Sequence, residues 1–425
     1  MKKGISAIIA LSLALNMCVT AMAAADAPIA SGEDSDQQTQ QTSADFYEQE
    51  EPLAAAAIVN SDSFVDREAT PENFDVPAKA ALLMDEATGQ VLYAKNADER
   101  LHIASITKVM TLLLVFEALK EGTIKYSDTV PISPHAFSMG GSQIWLEPGE
   151  IFTVDELLKA VCVSSANDAA VALSELVGGS ETVFCDAMNR KAKALGMENT
   201  NFVNACGLDS PNQYSTARDV AIMSRALMEH TKVFEYTTIW MEYLRNGATQ
   251  LVNTNKLLRS YTGTTGLKTG TTSGAGVCIT ATAKRQNMSL IAVALGSATS
   301  EERFDSAKKL LDFGFSNFES RPFPKQEEYP ERIKVTFSTQ KDAQLQYTLP
   351  ENLLFLKGSA NELQSQIILP KKITAPMGKG TAIGTVGLYS NGVKIKEYKI
   401  ILTQDIEKIN FKKSLSILTK MGSIM

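Results

Sequence analysis

The chain of 425 residues has few histidines and cysteines and lacks an excess of positive charge. Its only histidines are His102, His135 and His230, and no two of them stand at metal-ligand spacing on one helix. The formal net charge is −7, so the chain lacks the basic footprint of a nucleic-acid-binding protein. The sequence therefore predicts no metal, no cofactor and no nucleic-acid partner.

Cysteine is also scarce, and no C-x-x-C pair occurs. Apart from Cys18, the cysteines are Cys162, Cys185, Cys206 and Cys278, each among apolar or small residues. A free cysteine in such surroundings usually behaves as a small buried hydrophobic residue. We therefore predict buried free thiols rather than the disulfide framework of a small secreted domain.

The first residues have the pattern of an export signal. Lys2 and Lys3 precede an apolar stretch from about Ile5 to Thr20, and the small residues of Ala21-Met22-Ala23 suit cleavage before Ala24. We predict a signal peptide over residues 1–23 and an exported mature protein. An uncleaved anchor is the alternative.

Composition and length indicate more than one domain. Hydrophobic residues make up 44% and charged residues 21% of the chain, which is typical of a globular protein, and 425 residues exceed one ordinary core. Residues 24–73 are polar with little periodicity, which predicts a disordered leader or tether. From about residue 321 to 403 the pattern is one of short strands broken by Pro and Gly, which predicts an all-β domain.

Between these segments, residues 74–320 carry both strand and helix patterns. Apolar runs at Ala80–Met84 and Gln90–Ala94 predict one β-hairpin, and Gly276–Ala283 with Met288–Gly296 predict a second. Helical spacing occurs at Ile106–Leu119, Val154–Val177, Ser215–Met228 and Glu301–Phe313. Strand sets around a helical middle predict a single antiparallel sheet covered by helices.

Three short motifs lie in order along this segment: Ser105-Ile-Thr-Lys108, Ser165-Ala-Asn167 and Lys268-Thr-Gly270. Copies of the first two patterns also begin at Ser306, Ser338, Ser210 and Ser359. K-T-G occurs once, and the Ser105 copy alone opens an apolar run and has an S-x-N 60 residues on and the K-T-G 103 residues beyond that. This order predicts acyl transfer of the penicillin-recognising type.

The first two motifs supply a nucleophile and its proton carriers. If Ser105 begins a helix, Lys108 lies one turn later on the same face, and its amine can reach the serine oxygen. Lys108 must then be partly neutral, through burial or through a neighbouring cation, for which Lys268 is the candidate. We expect Ser165 to relay protons to the leaving amine, and Asn167 to bind the substrate backbone and Lys108.

The third motif supplies substrate binding. Lys268 and Thr269 on an edge strand would bind a terminal carboxylate, and Gly270 would let the substrate approach the backbone. The N–H groups of Ser105 and Thr271 would hold the oxyanion of a tetrahedral intermediate.

These motifs resemble those of the low-molecular-mass penicillin-binding proteins that act as serine D-Ala-D-Ala carboxypeptidases, the peptidase S11-like family. The resemblance extends from about Pro77 to Phe318 and includes Gly141-Ser-Gln143, Leu146-Glu-Pro-Gly149, Ser165 to Ala170, Asn204 to Leu208 and Asn253-Thr-Asn255. It implies an α/β (α+β) penicillin-binding, β-lactamase-like serine transpeptidase fold with a central antiparallel sheet, then a β-rich domain. It also implies a peptidoglycan stem peptide ending in D-Ala-D-Ala as substrate and β-lactams as covalent inhibitors.

Other functions remain open at this point. A class A-like β-lactamase needs a deacylating Glu in an E-x-x-L-N arrangement, and the nearest segment, Glu198 to Phe202, lacks the Leu-Asn. A sensor that is acylated without turnover would carry the same motifs. A His-based triad at His102 lacks the G-x-S-x-G pattern and a convincing Asp partner.

The end of the chain predicts a membrane contact. Residues 404–425 alternate apolar and cationic side chains, and on a helix the lysines would rim a broad apolar side. Four lysines, Lys408, Lys412, Lys413 and Lys420, make this segment too polar to span a bilayer but suit a helix lying in the interface. A helix packed on the β domain is the alternative. We expect a peripheral enzyme on the outer face of the cytoplasmic membrane.

Overall fold

The computed structural model describes residues 74–325, 329–359 and 362–411. The strands in these residues are Ala80–Asp85 (β1), Val91–Lys95 (β2), Thr129–Pro131 (β3), Ile151–Thr153 (β4), Met241–Leu244 (β5), Thr249–Val252 (β6), Thr264–Thr272 (β7), Gly276–Arg285 (β8), Met288–Ser297 (β9), Phe318–Pro322 (β10), Arg332–Thr336 (β11), Asp342–Tyr347 (β12), Asn352–Leu356 (β13), Leu363–Ile368 (β14), Lys372–Thr374 (β15), Ala382–Ser390 (β16) and Val393–Leu402 (β17). The α-helices are Lys108–Glu121 (α1), Pro134–Phe137 (α2), Val154–Lys159 (α3), Asn167–Gly178 (α4), Glu181–Ala194 (α5), Ala217–Met228 (α6), Phe234–Thr237 (α7), Leu257–Ser260 (α8) and Ser300–Asn317 (α9). The predicted signal peptide and leader lie outside the described residues.

A five-stranded antiparallel sheet forms the centre of the first part, in the order β2-β1-β9-β8-β7. Both predicted hairpins are present as β1–β2 and β8–β9. Strand β9 is buried on both faces: Ile291 and Val293 join the core on one side, and Leu290 and Ala292 join the core on the other. This explains its continuous apolar run, since only a strand covered on both sides lacks polar alternation.

Helices cover both faces of this sheet. Helices α1 and α6 pack together on one side, and α6 also contacts β1 and β9. Helix α9 covers the other side and buries Phe304, Leu310 and Leu311. It begins where the Thr299 hydroxyl accepts a hydrogen bond from the Glu302 N–H, a standard N-cap. The predicted antiparallel sheet with helical cover is therefore confirmed.

Two of the predicted helices are interrupted at the motifs. The segment Val154–Val177 is not one helix: a π-helical turn over Ala160–Ser164 ends at Ser165, whose φ of 64° is left-handed, before α4 begins. Ser105 likewise lies in a 3-10 turn, Ala104–Thr107, and the regular helix starts only at Lys108. Helical spacing alone cannot reveal such breaks, because the apolar period continues through them.

The second part is the predicted all-β domain. Its six-stranded sheet has the order β14-β16-β17-β12-β11-β15, and a two-stranded ladder joins β10 to β13. It has a core of its own around Phe355, Leu388 and Ile400. Leu354 of β13 instead packs into the core under α9, which ties the two parts together.

The predicted C-terminal helix does not begin at Gln404. Residues 404–410 are not helical, and Ile406, which is 1% exposed, forms a β-bridge with Met377. Ile406 belongs to the core of the β domain, and its burial overrides the helical pattern. The rest of the predicted helix, from residue 412 on, lies outside the described residues.

The prediction for the cysteines is confirmed: Cys162, Cys185, Cys206 and Cys278 are all free and buried. Within the described ranges, no helix is both long and apolar enough to cross a bilayer.

Candidate active site

Ser105 stands at the surface end of a buried turn. Ala104 before it has a left-handed φ of 48°, while Ile103 and Ile106 are fully buried and fix the turn in the core. The Ser105 side chain remains partly exposed. Lys108 Nζ donates a hydrogen bond of 2.9 Å to Ser105 Oγ, so the first motif forms a direct pair of nucleophile and amine.

Lys108 is completely buried and makes three hydrogen bonds. Besides Ser105 Oγ, its Nζ donates to Asn167 Oδ1 and to the Cys206 carbonyl, each at 2.6 Å. Burial disfavours the charged form and lowers the pKa of Lys108 to about 8. A lysine of that pKa is about one-tenth neutral at pH 7, a far larger neutral fraction than that of an ordinary lysine.

Asn167 is held by a loop as well as by Lys108. Its backbone N–H donates to Ser142 O at 2.7 Å and its side-chain Nδ2 donates to Gly140 O at 2.6 Å. The next residue, Asp168, is fully buried and accepts from the N–H groups of Ile144 and Leu146. The segment 140–146 is thereby fixed against the start of α4, and the Asn167 amide oxygen is oriented toward Lys108.

Ser165 lies between the π-helical turn and α4, and its hydroxyl has no partner among the described residues. The residue is 4% exposed. An unpaired buried hydroxyl costs stability, so such groups commonly persist where function requires them. This hydroxyl is available to pass a proton.

The third motif lies on β7, at the edge of the central sheet. A Cβ on Gly270 would stand 2.9 Å from the backbone nitrogen of Ser105, so glycine is needed for the strand to approach the serine. Thr269 Oγ1 is 2.7 Å from Thr254 Oγ1, and Thr271 Oγ1 donates to Gly270 O. The strand therefore brings the third motif against the first, and Lys108 of the first motif is bonded to Asn167 of the second.

Lys268 is buried at 1% exposure, and in the described part of the chain its Nζ donates one hydrogen bond, to Thr269 O at 2.9 Å. Burial, followed by the nearby charge of Lys108, lowers the pKa of Lys268 well below its usual value. The sequence led us to expect that Lys268 would act on Lys108. Burial is the leading cause of the lowered pKa of Lys108, and the nearby charge of Lys108 contributes to the lowered pKa of Lys268.

The loop before Leu208 supplies parts of the site that no motif indicated. Asn204 Oδ1 accepts from the Gly207 N–H at 2.6 Å, and Glu181 accepts from the Ala205 N–H at 2.8 Å. These bonds fix the Cys206 carbonyl that accepts from Lys108. A backbone acceptor has no side-chain signature, so the resemblance at Asn204 to Leu208 was its only signal in the sequence.

The chain matches two known families, one over each part. Residues 66–299 match the family described as D-alanyl-D-alanine carboxypeptidase, and residues 318–408 match the C-terminal domain of penicillin-binding protein 5. It is 44% identical over 338 residues to the D-alanyl-D-alanine carboxypeptidase DacF of Bacillus subtilis, covering 79% of this chain and 87% of DacF. To DacC of Escherichia coli it is 37% identical over 352 residues, covering 81% and 88% of the two chains.

Solved structures give the same picture. Penicillin-binding protein 5 of Haemophilus influenzae aligns with a TM-score of 0.69 at 32% identity, covering 80% of this chain and all of that one. Penicillin-binding protein D2 of Listeria monocytogenes, solved in its cefotaxime-bound form, aligns with a TM-score of 0.53 at 34% identity and covers 58% of this chain and all of that one. The fold resemblance thus includes a protein seen with a bound β-lactam.

The contact between Gly207 and the Ser105 turn yields a prediction. Gly207 has a φ of 90°, and a Cβ there would stand 2.0 Å from Ala104 O. We expect Gly207→Ala to slow acylation by a labelled penicillin at least ~100-fold, because the turn that carries Ser105 must shift, and displacements of about 1 Å have effects of this size. Gly196 also has a left-handed φ, 78°, but open space around it, so Gly196→Ala is the matched control and should acylate normally. Equal acylation rates for the two variants would contradict the inference that Gly207 positions the turn that carries Ser105.

Proposed function

This chain belongs to the D-alanyl-D-alanine carboxypeptidase family, and we propose that Ser105 is the nucleophile with which it removes the terminal D-alanine from peptidoglycan stem peptides. The enzyme is a serine-type hydrolase, and β-lactams acylate the same serine. The observation that carries the assignment is the hydrogen-bond set of Lys108 Nζ, which joins Ser105, Asn167 and the Cys206 carbonyl.

The number of hydrogen bonds at Lys108 determines when it can act as a base. An ammonium group has three donors, and all three are used by the three acceptors. A neutral amine keeps two donors and gains a lone pair. Its two N–H groups can still donate to Asn167 Oδ1 and to the Cys206 carbonyl. The lone pair of Lys108 Nζ is then directed at Ser105 Oγ. Loss of one proton therefore converts the same geometry into a general base.

In the proposed reaction, Ser105 Oγ attacks the carbonyl carbon of the D-Ala-D-Ala bond as its proton passes to Lys108. The N–H groups of Ser105 and Thr271 hold the oxyanion. Collapse of the intermediate breaks the C–N bond, and the proton returns to the leaving amine through Ser165. Water then attacks the acyl-enzyme, gives its proton to Lys108, and Ser105 Oγ leaves and recovers a proton.

The substrate carboxylate assists this proton arrangement. Lys268 as an ammonium would keep two unused donors beside its bond to Thr269, and Thr269 adds a hydroxyl at the same edge. A carboxylate bound there favours the charged form of Lys268. Because the two amines repel each other, charge on Lys268 favours neutral Lys108. A substrate with a free C-terminal carboxylate thus promotes the base form of Lys108.

The competing functions lack support at the site. Glu198, the nearest match to the deacylating glutamate of a class A-like β-lactamase, is exposed. His102 Nδ1 lies 2.8 Å from the Gln213 carbonyl oxygen, so this ring nitrogen is hydrogen-bonded to the backbone. A sensor that is acylated without turnover would have the same site, and a measurement of D-alanine release distinguishes it from an enzyme.

The decisive experiment measures both labelling and turnover. The wild-type enzyme should release D-alanine catalytically from a pentapeptide ending in D-Ala-D-Ala and should bind a labelled penicillin covalently. Ser105→Ala should lose both while the protein stays folded with at most a small shift in melting temperature, because Ser105 is partly exposed and Lys108 keeps its acceptors at Asn167 and Cys206. Labelling without any D-alanine release by the wild type would identify a sensor, and labelling of Ser105→Ala would exclude this nucleophile.

We also propose that residues 1–23 direct export and that the chain after the β domain attaches the enzyme to the outer face of the cytoplasmic membrane. Support comes from the alternation of apolar and lysine residues after Ile409 and from Phe411, which is 84% exposed at the last described position. The β domain would then act as a spacer between the membrane and the active site.

A truncation tests the attachment, and the structure fixes where it must begin. Deletion of residues 412–425 should leave an active enzyme in the soluble fraction at physiological salt, whereas the full chain should sediment with anionic vesicles. Deletion from Gln404 should also lower the melting temperature, because it removes the buried Ile406. If the variant that lacks residues 412–425 binds vesicles as well as the full chain does, attachment through this segment is contradicted.

A further inference from the structure

The hairpin between β11 and β12 ends in an unusual tip. Phe337 opens the turn with a left-handed φ of 58°, and its side chain is 66% exposed. A bulky residue in this conformation is strained, and an exposed aromatic side chain gains nothing from water. Neither the core nor the catalytic site explains this residue.

The tip lies where the described chain ends. The Ile409 N–H donates to Phe337 O at 2.8 Å, which fixes the last described residues to the hairpin. Gln404 and Gln340 make a further contact at 3.4 Å. Phe411, two residues after Ile409, is also highly exposed. Two exposed phenylalanines thus lie close to the last described residues of the β domain.

A cluster of positive charge lies beside this tip. A groove of about 1060 Å³ beside the hairpin is lined by the cations Arg332, Lys334, Lys341, Lys371 and Lys372 and by a single carboxylate, Asp342. Lys334 has two register partners, Asp342 on β12 and Lys372 on β15, and the pairing of like charges with Lys372 is destabilising. No salt bridge joins any of these five cations to a carboxylate within residues 74–325, 329–359 and 362–411. The charges are therefore available to an external anion.

Protection of a sheet edge explains only part of this pattern. Strand β15 is an edge strand, and Lys372 on it would discourage pairing with another chain. Lys334 lies on β11, which is paired on both sides, so it has no edge to protect. Phe337 would promote association rather than prevent it. The combination of an aromatic tip and a cationic face is instead typical of a surface that meets a membrane.

Another region of the domain faces the catalytic part. Phe323, which follows β10, packs its ring against Tyr398 in the middle of β17, and Tyr398 and Lys396 line a cleft together with Glu86 of the catalytic part. Strand β17 has ten residues, so its two ends lie about 30 Å apart, and Tyr398 lies about 13 Å from the Leu402 end. The Phe337 tip is near the far end, where Leu402 of β17 pairs with Leu345 of β12.

We propose that this surface, formed by Phe337, Lys334, Lys341 and Lys372, is a second membrane contact beside the C-terminal segment. Phe337 enters the interfacial region, and the lysines meet anionic lipid headgroups. The proposal rests on the proposed membrane attachment. Two contacts at one end would restrict the tilt of the β domain and hold the active site away from the bilayer.

The test places a fluorescent reporter at the tip of the full chain. Phe337→Trp should show blue-shifted emission with phosphatidylglycerol vesicles and strong quenching when the acyl chains are brominated. Val393→Trp is the matched control, because Val393 is 49% exposed at the other end of β17 and should be unquenched. Emission of the unsubstituted chain, from Trp145 and Trp240, is subtracted.

A second variant tests the charges. Lys334→Glu with Lys372→Glu should weaken binding of the full chain to the same vesicles at least ~10-fold, since each cation near the surface contributes about 1 kcal/mol. Labelling by penicillin should be unchanged, which verifies the fold. An unquenched Phe337→Trp on vesicles that the full chain binds would overturn the second contact and leave the C-terminal attachment standing. Equal quenching at Phe337 and Val393 would also overturn it, and a full chain that binds no anionic vesicle would remove both proposals.

Discussion

The catalytic site depends on the burial of one amine. Lys108 has no exposed surface, and a buried ammonium is tolerated only when hydrogen bonds replace its water. Each acceptor comes from a different segment: Ser105 from the turn before α1, Asn167 from the start of α4, and Cys206 from a loop. The same burial lowers the pKa of Lys108, so the contacts that assemble the site also prepare its base.

Close backbone approach is the second requirement. Gly207 and Gly270 both approach the Ser105 turn closely, and a side chain at either position would displace the turn. The edge position of β7 leaves one side of that strand unpaired, where a peptide substrate can lie. The rigid sheet behind it, covered on both faces, holds Lys268 at a fixed place relative to Lys108.

Much of this could be predicted from the sequence, because strand alternation marked both hairpins and the order of three motifs marked the site. What escaped prediction has physical causes. The Cys206 carbonyl is a backbone group without a side-chain signature. The break at Ser165 interrupts a helix whose apolar spacing continues, and Ile406 belongs to the β core because tertiary burial outweighs the helical pattern around it.

The central claim is that neutral Lys108 takes the proton of Ser105, and the pH dependence of acylation tests it most directly. The second-order rate constant for acylation by a penicillin should rise about tenfold per pH unit at low pH and level off above about pH 8, as Lys108 loses its proton. The rate constant rises with pH because Lys108 can act as a base only in its neutral form. A rate constant that is flat between about pH 6 and 9, or that still rises tenfold per unit near pH 10, the usual range for lysine, would contradict the account.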